Sequence, residues 1–147
     1  MTQEDKQLIL KDLCSRLSYR PMCSIFRVDD FGVGWRDEVL NGFFKDEKDY
    51  EFYFGDMFAI DDVTKIKLYL RPMSSMTEEE KEELRQEEIK DEQLFADCIK
   101  NHPEMRGLII PYFAADWCNK KMFDYRCLIT KGLALEAPKG MYKEEQQ

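Results

Sequence analysis

The feature that most constrains this chain is a change in the period of its apolar residues. Leu10, Leu13 and Leu17 recur at helical spacing, with Ile9 and Cys14 widening the stripe. From Met22 to Val28 the pattern alternates and ends β-rich. After Thr77 the spacing is helical again, with Leu84, Ile89, Leu94, Phe95, Cys98 and Ile99 as the apolar positions. A helix, then several short strands, then helices predicts an α+β single domain with a small, mainly antiparallel sheet and three to four helices.

Local signals set the boundaries. Thr2 caps the first helix with Asp5 three residues on, and the helix stops before Pro21, because the residue preceding proline avoids the helical region. Residues 29–34 form a turn or loop. Trp35 to Leu40, Asn41-Gly42 and Phe43-Phe44 then read as a hairpin, Asn-Gly being the favoured type I′ pair. Glu51 to Phe54 reads as a strand. Asp61 or Asp62 caps a helical turn leading into 66–70, which fits strand or helix equally. Thr77 with Glu80 is a full capping box. The segment 77–99 reads as one helix or as two joined near Lys90-Asp91. Pro111 suits the first turn of a helix reaching Lys121. A short helix falls within Phe123–Thr130, with Gly132 at its C-terminal cap. Leu133 to Leu135 looks like a last strand, and the tail after about 141 is expected to be loose.

Length and composition bound the function. The chain has 147 residues, the size of one domain, and its 44% hydrophobic and 13% aromatic content is enough for one core spanning 1–147. The net charge of −8 disfavours direct binding to nucleic acid or anionic lipid. That charge is concentrated: eleven acids against three bases from Asp29 to Asp62, and ten against three from Thr77 to Asp97. The five cysteines, Cys14, Cys23, Cys98, Cys118 and Cys127, contain no CxxC pair, and the polar N-terminus is no secretory signal. Reduced thiols in a cytoplasmic protein are the natural expectation. No apolar run is long enough to span a membrane.

Two stretches resemble sequences seen elsewhere. They are Leu68-Tyr-Leu-Arg-Pro-Met-Ser-Ser-Met-Thr-Glu-Glu-Glu80, and Trp117-Cys-Asn followed by Phe123-Asp-Tyr-Arg-Cys-Leu-Ile-Thr-Lys-Gly-Leu-Ala-Leu-Glu-Ala-Pro-Lys-Gly-Met-Tyr142. Both resemble a group of short uncharacterised proteins of gut anaerobic bacteria and their phages. The resemblance implies a bacterial or phage accessory protein and carries no reaction.

No catalytic motif stands out. The sole histidine, His102, sits at a helix end four residues after Cys98. A Cys98–His102 pair lacks an orienting third group, and the spacings of Cys98, His102, Cys118 and Cys127 match no zinc finger. Asp29-Asp30 and Asp61-Asp62 could hold an oxygen-liganded cation, although acids are ordinary at turns and caps. Gly32-Val-Gly34 lacks the third glycine and the lysine of a phosphate loop. No metal and no cofactor are expected. The leading expectation is a non-enzymatic protein-binding or accessory module with an unknown protein partner. Its candidate contact surface is Trp117, Phe123, Tyr125 and Arg126, residue types common at binding hot spots. Two alternatives stand beside it. One is an acidic inhibitor or nucleic-acid-charge mimic using Glu82, Glu83, Glu87 and Glu88. The other is a carboxylate- and metal-dependent hydrolase using Asp29, Asp30, Asp61 or Asp62.

Overall fold

A computed structural model describes residues 1–30, 32–45, 47, 49–55, 58–105 and 112–142. Helix α1 (Gln3–Arg16) opens on a reciprocal box: the Asp5 amide donates to Thr2 Oγ1 and the Thr2 amide to the Asp5 carboxylate, each at 3.1 Å. A 3-10 turn, Leu17–Tyr19, closes it ahead of Pro21.

Six strands follow in one sheet: β1 (Met22–Asp29), β2 (Gly32–Lys45), β3 (Tyr50–Phe54), β4 (Phe58–Ile60), β5 (Ile66–Leu70) and β6 (Ala134–Glu136). Their order is β4-β3-β2-β1-β5-β6, and the only parallel pair among them is β5–β6. The undecided stretch 66–70 is therefore a strand, with alternate residues Ile66, Leu68 and Leu70 buried. Asp62 caps the 3-10 turn Val63–Lys65 that leads into it, its carboxylate accepting from the Thr64 amide. The segment after Thr77 is one helix, α2 (Glu78–Asn101), again opened by a complete capping box. Helix α3 (Phe113–Lys120) is shorter than expected, and the 108–111 expectation lies outside the described residues.

Two expectations are corrected. Asn41-Gly42 is not a hairpin turn. It lies inside the continuous strand β2, where Leu40 pairs with Phe54 and Gly42 with Tyr53, leaving Asn41 as the extra residue of a bulge. The Asn41 side-chain amide donates to the Gly55 carbonyl at 2.8 Å, and the strand bends there instead of reversing. The reversal falls earlier, between Asp29 and Gly32. The second correction concerns residues 123–130, which form successive turns instead of a helix. Met122 and Cys127 both hold positive φ (63° and 61°), which interrupts helical winding just before that run and again in its middle. One helical turn survives, and its C-terminal cap is the expected Gly132 at φ 75°. There the Leu133 amide donates to the Leu128 carbonyl and the Gly132 amide to that of Ile129.

The main core lies between α1 and one sheet face: Ile9 and Leu13 from the helix pack with Cys23, Ile25, Leu40, Phe52, Phe54, Ile66, Leu68 and Leu70. A smaller cluster of Met76, Trp117, Cys118 and Phe123, with Leu84 packed against it, joins α2 to α3. No described helix is long and apolar enough to cross a membrane.

Candidate functional site

The aromatic and arginine segment singled out from sequence turns out to be a joint inside the fold. Trp117 and Phe123 are 8% and 0% exposed, and their rings stack with centroids 5.6 Å apart. The Arg71 guanidinium lies 4.1 Å from the Phe123 centroid and forks onto Glu80 at 2.7 and 2.8 Å. Arg126 is turned inward. It donates to the Asp12 carboxylate, which Arg16 also grips at 2.9 and 3.2 Å. Arg16 then donates to the carbonyls of Cys118 (3.3 Å) and Phe123 (2.7 Å). Tyr125 packs beside both guanidiniums, and its hydroxyl donates to Asn119 Oδ1. Asp12 and Arg16 are wholly buried, so this network ties α1 to the C-terminal turns and offers little to a partner. Neither residue was singled out from sequence for this role. The available signal was their i,i+4 spacing in phase with Ile9 and Leu13.

The acids proposed as a mimic surface are partly engaged within the chain. Glu82 accepts from Arg85 and Gln86, Glu87 from Lys90, and Glu83 from the Trp117 indole at 3.2 Å. Glu88 is exposed. Further along α2, the Asp91 carboxylate accepts from the amides of Tyr112, Phe113 and Ala114 at 2.8–2.9 Å, capping α3 from a neighbouring helix. Burial opposes its ionisation, but the three amide donors outweigh that and hold its pKa below the ordinary value.

The candidate catalytic groups do not converge. His102 is the C-cap of α2, its amide donating to the Cys98 carbonyl, and its exposed ring is 3.5 Å from Glu104. Burial pushes the Cys23 thiol pKa up, and that of Cys118 to about 11, so both are protonated, poor nucleophiles at neutral pH. Asp29 pairs with Arg36 at 3.0 Å and with Arg27 at 3.5 Å, while Asp30 is exposed. Asp61 and Asp62 line an open groove of about 600 Å³ beside Lys6, Gln7 and Tyr50. Among the described residues, no three acids, thiols or imidazoles gather as a metal site would require.

Exposed apolar residues occur on α2 (Ile89, Leu94 and Phe95) and, as a row across two paired strands, on the opposite side of the sheet from the core. Along β1 the residues facing the core are Cys23, Ile25, Arg27 and Asp29, as the pairing of Cys23 with Leu68 and Ile25 with Ile66 fixes. The core face thus turns charged at Arg27. There Arg27 bridges Asp29 and Glu38 at 3.5 Å each, and Arg36 adds to Asp29. The alternate residues Ser24, Phe26 and Val28 point outward, opposite Asp37, Trp35 and Val33 on β2. Val28, Val33 and Trp35 are 64%, 68% and 46% exposed. Trp35 is nevertheless held in place, edge-on to Phe26 with centroids 5.6 Å apart and with Lys67 Nζ 5.2 Å above its ring. The pattern of this arm is the inverse of a core hairpin: ion pairs on the core side, apolar residues toward water. Phe26 and Val28 alternating with Arg27 and Asp29 was the sequence signal for it.

No family model, curated protein or solved structure matches the chain.

Proposed function

We propose that the chain is a non-enzymatic protein-binding module that docks its partner on the outer face of the β1–β2 arm. The observation carrying this reading is the preformed apolar ridge of Val28, Val33 and Trp35, backed by Phe26, on a face turned away from the core. A tryptophan fixed by its neighbours yet nearly half exposed loses little conformational freedom on binding, which is why such residues dominate interface energetics. The ion-pair ladder on the reverse side keeps the ridge outward. Burying the ridge in its place would desolvate Arg27, Asp29, Arg36 and Glu38. In keeping with the resemblance of its middle and C-terminal segments, the module is read as an accessory protein of a bacterium or phage. It is read as acting in the cytoplasm, where five free cysteines stay reduced.

The test is association with the protein's stoichiometric partner, recovered by affinity capture and then re-measured with pure components. Val33→Asp and Trp35→Ala are expected to weaken binding by roughly 30-fold or more, as truncating a central hot spot does. Glu82→Gln with Glu88→Gln is expected to leave it unchanged. Binding that survives both ridge variants and fails with the glutamate variants would overturn the reading in favour of the acidic helix.

A further inference from the structure

Which partner fits this face is written in one cross-strand row. Ser24 on β1 is paired on one side with Asp37 of β2 and on the other with Lys67 of β5, so the three side chains stand in line on the outer face. Neighbouring strands are roughly 4.8 Å apart, so the backbones of Asp37 and Lys67 sit at about equal distances on either side of β1. Among the described residues neither charge is neutralised by a counter-ion: Asp37 accepts from the Tyr69 hydroxyl at 2.8 Å, and Lys67 lies over the Trp35 ring. A base and an acid borne on the two strands that flank β1 form a pair that is complementary to itself under a two-fold rotation about that strand.

Resting on the docking-face reading above, we infer that the occupant of the outer face is a second copy of this chain, related by a two-fold axis running along β1 in the plane of contact. That rotation exchanges left and right across the strand. Lys67 of each copy then meets Asp37 of the other, twice, while Phe26 and Val28 lie close to the axis and meet their own counterparts; Ser24, 5% exposed, stays covered within its own chain. Each surface patch meets the same patch, as an isologous dimer requires. Face-to-face sheets cross at about 30°, which offsets residues one strand from the axis by only roughly 2–3 Å, within the reach of a lysine side chain. Trp35, overlain by Lys67, and Val33 extend the apolar contact along the arm.

The two charges allow a decisive experiment, sedimentation velocity of the full chain from micromolar to millimolar concentration. The wild type is expected to dimerise. Lys67→Glu alone sets two acids together across the axis, and Asp37→Lys alone sets two amines together. Each is expected to weaken self-association by roughly 100-fold, since like charges in contact are strongly unfavourable. Mixing these two single variants restores complementarity at both contacts and is expected to give a heterodimer of wild-type strength. The Lys67→Glu/Asp37→Lys double variant is expected to recover the homodimer. This rescue separates a lost interface from a lost fold, since a misfolded chain cannot be rescued by mixing. A wild type that stays monomeric at millimolar concentration overturns the second copy as occupant. If Val33→Asp then still abolishes binding to a captured protein, the docking face stands and only its occupant changes. A dimer indifferent to Val33→Asp and to both charge variants overturns the occupant and the docking face together.

Discussion

Asp12 is the centre of a buried polar network. It is wholly buried, it lies between two guanidiniums, and through that of Arg16 it reaches backbone carbonyls more than a hundred residues away. Asp12→Asn leaves both arginines without their counter-charge in a buried setting, and a loss of about 3–5 kcal/mol is expected by urea denaturation. A loss below about 1 kcal/mol would show that water reaches the site. From sequence, Asp12 and Arg16 resemble any exposed i,i+4 pair, because the partners that bury them come from the far end of the chain. Asp91 was missed for a similar reason: its three amide donors sit on α3, and no local motif announces a cap supplied by another helix. Its folded-state pKa is depressed, so the fold favours the ionised form. That stabilisation is present above the ordinary carboxylate value of about 4 and is lost as pH falls through the lower folded value. Asp91→Asn removes the negative charge at the α3 N-terminus and should cost about 0.5–1 kcal/mol at neutral pH, and thermal melts should converge with wild type as the medium is acidified below about pH 4. A difference that persists undiminished in acid would contradict the ionised cap.

At the scale of elements, sequence signals held where they were local and failed where sheet context decided. Both capping boxes, at Thr2 and Thr77, stand as read because every atom involved lies within four residues. Asn41-Gly42 misled because the favoured turn pair also suits a bulge, and the choice belonged to β3, which pairs straight across it. This difference is measurable. Gly42 does not hold positive φ, and an added Cβ would meet Tyr53 at an ordinary 3.8 Å, so Gly42→Ala should be neutral or stabilise by roughly 0.5 kcal/mol. A turn glycine would instead lose about 1 kcal/mol or more, as is expected for Gly132→Ala at φ 75°. Thermal unfolding of the two variants side by side decides it. The single turn at 128–131 was overread as a helix because Gly132 marks a helix end without stating the length of what precedes it.

At the scale of the whole molecule, the α+β class and the sheet were legible because periodicity changes where the elements change. The interaction surface was not, because the residue types that mark binding hot spots also build cores. Trp117 and Phe123 have the right chemistry but lie inside, whereas Trp35 has the same chemistry and lies outside. What separates them is strand phase, which becomes visible only once the register of β1 against β2 and β5 is known. The chain has two tryptophans, so Trp117→Phe leaves Trp35 as the single indole and preserves an aromatic ring against Phe123. Acrylamide quenching of that variant tests the central claim most directly. Trp35 should be readily quenched in dilute free protein and protected in step with association as concentration rises. Association that proceeds while Trp35 stays equally quenched would contradict the assignment of the β1–β2 outer face as the binding surface.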